Sequence, residues 1–107
     1  MLHRNNWNIE VTDDDIDRAM IEGRHSPLQI AISKATNKAP DEIDIRRNGV
    51  FISVYEYADF LKYSFDEDCR DTVLDEMDNW EDWAENETTA PLYMEPFTCN
   101  LTLERSF

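Results

Sequence analysis

The sequence predicts an α+β fold, an antiparallel sheet of four to five strands with two main helices on one face, on three observations. Trp7 to Thr12 and Phe97 to Leu103 each alternate apolar with polar residues, the two-residue period of a half-buried strand. Asn48-Gly49 stands between two aliphatic runs in mid-chain, a hairpin signal because both central positions of a tight type I′ turn need positive φ. Helical periodicity follows Ser26 and again Asp66. The resulting order, β-α-β-β-α-β, is ferredoxin-like at the level of topology. At 107 residues the chain is expected to form one domain over 1–107, large enough for a core without metal or disulfide support.

The first strand places Trp7, Ile9 and Val11 on one side and Asn8 and Glu10 on the other. Asp13 to Glu22 then carries Ile16, Ala19 and Met20 at helical spacing, with Thr12 or Asp13 to cap and Gly23 to stop. This predicts a short, poorly packed helical turn or two. Ser26-Pro27-Leu28-Gln29 reads as a helix start, with Ser at the N-cap, Pro at the first helical position and Gln closing a capping box. Leu28, Ala31, Ile32 and Ala35 form its apolar stripe, and Asn37 and Pro40 end it.

In a hairpin turning at Asn48-Gly49, Arg47 pairs with Val50, Ile45 with Ile52 and Ile43 with Val54, so the aliphatic pairs share a face. Tyr55 to Phe65 is read as a second hairpin around Ala58-Asp59, returning through Phe60 to Tyr63. Ser64 or Asp66 caps the next helix, and the chain closes with the strand Phe97 to Leu103.

A net charge of −14 argues against direct nucleic-acid binding, which depends on Lys and Arg neutralising phosphates, and against anionic membranes. It favours a basic partner. No long apolar run is present, and the chain is expected to reside in the cytoplasm. Cys69 and Cys99 lack companion ligands at zinc spacing and are expected to be reduced and buried. Asp13-Asp14-Asp15-Ile16-Asp17 has the rhythm of a calcium loop, but Arg18 and Arg24 occupy the positions that need Gly and Glu. Neither a cofactor nor a metal is expected. His3 and His25 sit in no catalytic motif, and no nucleophile elbow or phosphate loop occurs. The chain reads as a protein without enzymatic activity.

The segment from Asp66 to Glu87 holds eleven of the twenty-four acidic residues and a single base, Arg70. On a helix, Cys69, Val73, Met77, Trp80, Trp83 and Ala84 share one side, while Glu67, Asp71, Asp75, Asp78, Asp82 and Glu85 share the other. Glu76 breaks the pattern by falling near the apolar side. A solvated helix face is the plain reading of such a stripe. Against it, carboxylates four residues apart destabilise a helix by about 0.2–0.5 kcal/mol per pair, and acids in the last turn oppose the helix dipole. One carboxylate per roughly 3 Å of axis is about half the charge density of duplex DNA.

Ile9-Glu10-Val11-Thr12-Asp13-Asp14-Asp15-Ile16, Pro27 to Ala35, the paired Ile43 to Val54 strands and Glu95-Pro96-Phe97-Thr98 together resemble a group of small acidic bacteriophage-encoded α+β proteins. Ser26 stands where those proteins often carry Cys, so the resemblance implies no metal or redox role. The acidic helix is also heavier here than their pattern requires. The resemblance implies a phage origin and an inhibitor of host defence acting in the host cytoplasm. Combined with the stripe, the expectation is a DNA mimic of the anti-CRISPR or anti-restriction type. Its partner would be a basic, nucleic-acid-binding host protein or complex, contacted by Glu67, Asp71, Asp75, Asp78, Asp82 and Glu85, with Tyr55, Tyr57 and Tyr63 as aromatic anchors. The alternative is a small regulatory or assembly domain acting through a sheet edge or apolar surface, its acids serving solubility.

Overall fold

The computed structural model describes residues 6–47, 49–54, 59–85 and 94–106. β1 (Asn6–Val11) is followed by α1 (Asp13–Glu22), α2 (Pro27–Thr36), a 3₁₀ turn at Pro40–Glu42, β2 (Ile43–Arg46), β3 (Gly49–Val54), β4 (Asp59–Phe65), α3 (Glu67–Glu85) and β5 (Phe97–Ser106). The strands form one five-stranded sheet in the order β1-β5-β4-β3-β2, and every neighbouring pair is antiparallel.

This ladder does not reproduce the ferredoxin-like order expected from the element sequence, because among the described strands β1 sits at an edge beside β5. The cause lies in the connection after β1. It contains two full helices rather than one, and α2 touches both edge strands, β1 and β2, carrying the chain across the sheet. The expectation for Asp13 to Glu22 was too weak. α1 has ten residues, and its N-terminus is closed by a reciprocal capping box in which Thr12 Oγ1 accepts from the Asp15 amide and Asp15 Oδ2 accepts from the Thr12 amide at 3.0 Å. Asp15 is only 2% exposed, and Lys34 of α2 reaches its other oxygen at 2.6 Å. A buried carboxylate is stable only with such partners, so the pair fastens α1 to α2.

α2 starts and ends where the sequence indicates. Ser26 Oγ accepts from the Gln29 amide at 3.2 Å, and Asn37 adopts the left-handed conformation at the C-cap. The capping box is only half made, because Gln29 Nε2 donates instead to the carbonyls of Pro40 and Ile43 at 2.7 and 3.1 Å. Gln29 thereby ties α2 to the start of β2.

The β2–β3 register is displaced from expectation. Ile43 pairs with Ile52, Ile45 with Val50 and Arg46 with Gly49, which shifts the centre of the hairpin one residue earlier and places Gly49 in β3. The displacement preserves the side-chain faces because the offset between paired residues changes by two. Gly49 has a positive φ, and a Cβ there would collide with the Tyr63 carbonyl oxygen of β4, so glycine is required by the approach of two strands. The expected turn at Ala58 lies outside the described residues, while the returning strand is present as β4.

One sheet face carries Ile9, Val11, Cys99, Leu101, Phe65, Tyr63, Leu61, Val50, Ile52 and Ile43, all buried in a single core with Ile16, Leu28, Ala31, Ile32, Cys69 and Val73 from the helices. The opposite face is polar. There Asn8 donates to Asn100 at 2.6 Å, and Arg46 and Lys62 lie 5.3 and 5.9 Å from the Phe51 ring centre. Among the described residues no helix is long and apolar enough to cross a membrane.

Candidate functional site

α3 grows directly out of β4. The Asp66 amide donates to the Asn100 carbonyl of β5, and its own carbonyl accepts from the Cys69 and Arg70 amides of the first helical turn. The Asp66 side chain accepts from Thr102 Oγ1 at 3.0 Å, and Ser64 Oγ is directed at the Thr102 carbonyl. The helix start is therefore anchored to β5 rather than closed by either expected side-chain cap.

Cys69 and Val73 are buried, and Met77, Trp80 and Trp83 are partly buried against the core, with the two indole rings 5.3 Å apart. Ala84, expected on this side, is exposed because it falls past the last packed turn. Cys69 and Cys99 are free thiols. Cys69 Sγ donates to the Asp66 carbonyl, and burial, reinforced by neighbouring Cys69, pushes the Cys99 thiol far above its ordinary range. Both are inert packing groups rather than nucleophiles.

All six stripe carboxylates, Glu67, Asp71, Asp75, Asp78, Asp82 and Glu85, are exposed. They follow one another at intervals of three or four residues, so they run for about 27 Å along the axis. The stripe has one counter-ion among the described residues, Arg47 from the β2–β3 hairpin, whose guanidinium donates to Asp78 at 2.8 Å. No local pattern signals that contact, which joins residues thirty-one apart.

Of the expected aromatic anchors, the one within the described residues does not join the stripe. Tyr63 is 1% exposed, because its position on β4, opposite Val50 and Leu103, turns it into the core. It offers nothing to a partner. Tyr55 and Tyr57 lie outside the described residues.

Glu76 occupies the border between the two faces of α3. Its Oε2 is buried and has no hydrogen-bond partner among the described residues, and Glu76 lines a small pocket together with Pro27, Leu28, Val73 and Phe97. Burial raises its carboxyl above the ordinary range, and the charges of Asp75 and Glu95 add to the rise. Elsewhere on the surface, His25 bonds to Asp41 at 2.9 Å, and that bond holds the Asp41 carboxyl below its usual range. Among the described residues no three His, Cys, Asp or Glu side chains come together in a cluster able to hold a metal ion.

Compared with protein-family models, curated proteins and solved structures, the chain matches none.

Proposed function

We propose that the chain is a phage-encoded, non-enzymatic inhibitor that works in the host cell by presenting α3 in place of DNA to a basic, nucleic-acid-binding defence complex. The observation carrying this reading is the stripe itself: six exposed carboxylates at helical spacing over about 27 Å, of which Asp78 alone is neutralised among the described residues. Helix stability alone disfavours that pattern, since like charges at four-residue spacing cost free energy and no base stands in the last turn. A basic cleft would convert the cost into association energy, with fast, salt-sensitive binding.

The test is competition. Restriction and guide-directed nuclease complexes are assayed for binding to their target DNA with the protein added at low and high salt. The expected result is displacement of DNA by the wild-type chain, lost steeply as salt rises. Asp71→Asn, Asp75→Asn and Asp82→Asn together, a variant that spares the Arg47–Asp78 pair, are expected to weaken displacement at least tenfold. Displacement insensitive to both salt and these substitutions would reduce the stripe to a solvated helix face.

A further inference from the structure

The sheet has a second surface suited to a partner, at the edge formed by β2. A cleft of about 240 Å³ opens beside this strand, lined by Gln29, Ile43, Ile45, Met77, Trp80 and Glu81. Gln29 Nε2 reaches the Ile43 carbonyl from outside the sheet, so Ile43 turns its main chain away from β3. Inward and outward residues alternate along an antiparallel strand, and Ile45 therefore turns the same way. No described residue bonds the Ile45 main chain on that side. Edge strands are commonly blunted by proline, a bulge or a covering element. β2 has no proline and its pairing with β3 is unbroken; Gln29 covers it at Ile43, which leaves Ile45 as the open position of this four-residue strand among the described residues.

We propose that the β2 edge accepts an extended peptide segment as a sixth strand, and that the segment alternates apolar residues with Lys or Arg. Main-chain bonds to Ile45 would supply the pairing, as in other strand-addition complexes. Met77 and Trp80 offer an apolar seat for one side chain, and the exposed carboxylate of Glu81 borders it, which favours a basic flank; Asp44, also beside the cleft, is already paired with Arg46 at 2.9 Å. The cleft is smaller than the roughly 300–1,000 Å³ of small-molecule sites, so a peptide fits it better than a cofactor. A second copy is a poor occupant, because each chain carries a net −14 and the two would repel. This inference does not rest on DNA mimicry by α3.

The probe is a synthetic peptide of about six residues, an ordinary strand length, alternating Lys or Arg with Val or Leu. Its control has the same sequence with alternate main-chain amides N-methylated. Titration and amide hydrogen exchange of Ile45 are followed on the intact chain. Binding is expected to slow exchange at Ile45 at least tenfold, and N-methylation is expected to weaken binding at least tenfold in one of its two registers. Ile45→Pro, which removes an outward amide from an edge position where proline is tolerated, is expected to abolish the effect. Trp80→Ala, a milder change, is expected to weaken binding while leaving the fold intact. The triple Asn variant of α3 is expected to keep full Ile45 protection at saturation, which separates this site from the acidic stripe. Equal binding of both methylated registers, or unchanged Ile45 exchange at saturation, would overturn the proposal. Ile45 protection in the free chain would do so too, in favour of a covering segment of its own, and protection that grows with chain concentration would point to a second copy.

Discussion

Two carboxylates off the stripe govern stability more than the stripe does. Asp15 is buried and holds Lys34 and both donors of Thr12. Replacing Lys34 with Met leaves that charge with Thr12 alone. The expected cost is about 2 kcal/mol, less than the 3–5 typical of a fully buried pair because Lys34 is half exposed, and chemical denaturation would measure it. Glu76 has the opposite sense. Its native carboxyl titrates above the ordinary 4.5, so between those two values the folded state binds more protons than the unfolded, and stability falls as pH rises through the window. Glu76→Gln removes this loss. The variant should be more stable by about 1 kcal/mol at pH 7, and the difference should fade below pH 4.5, where both states of the wild type are protonated. A gain that persisted in acid would refute the assignment.

At the scale of elements, α3 was the most legible part of the chain because its charge pattern repeats locally. Every stripe carboxylate is exposed, and Cys69 and Val73 are buried, as their spacing indicated. What the sequence concealed is non-local. Tyr63 was misjudged because an aromatic-rich run does not disclose which face of β4 enters the core, and Gln29 fits a capping box yet spends its amide on carbonyls eleven and fourteen residues away. α1 was underestimated because its anchor, Asp15 with Lys34, joins two elements. The Asn48-Gly49 signal located the hairpin correctly, but its register follows the requirement for glycine beside Tyr63. Gly49→Ala is accordingly expected to destabilise the chain by more than about 1 kcal/mol, beyond the loss from backbone freedom alone, and thermal unfolding would show it.

For the whole molecule, an open antiparallel sheet with helices covering one face agrees with the α+β reading, whereas strand order depends on contacts across the chain that periodicity does not encode. The net charge of −14 is also a global property. Self-repulsion opposes the compact state, so added sodium chloride should raise the unfolding temperature, on the order of 5 °C for each kcal/mol of relieved repulsion. Circular dichroism melts across a salt series would test this, and a flat series would mean that local ion pairs already balance the field.

The pairing of β1 with β5 has a consequence in time. Asn8 and Asn100, bonded side chain to side chain, are ninety-two residues apart, and among the described residues β1 has no other strand beside it. During synthesis the first strand must therefore wait until nearly all of the described chain has left the ribosome before its ladder can form. The meander β2–β3–β4 and the two early helices can assemble sooner. Closure of so long a loop is slow, and refolding should show early protection in the meander and a later phase in which β1 and β5 gain protection together. Pulse-labelled hydrogen exchange would resolve the two, and a chain cut before Phe97 should leave β1 an unpaired apolar strand, exposed to association with other chains.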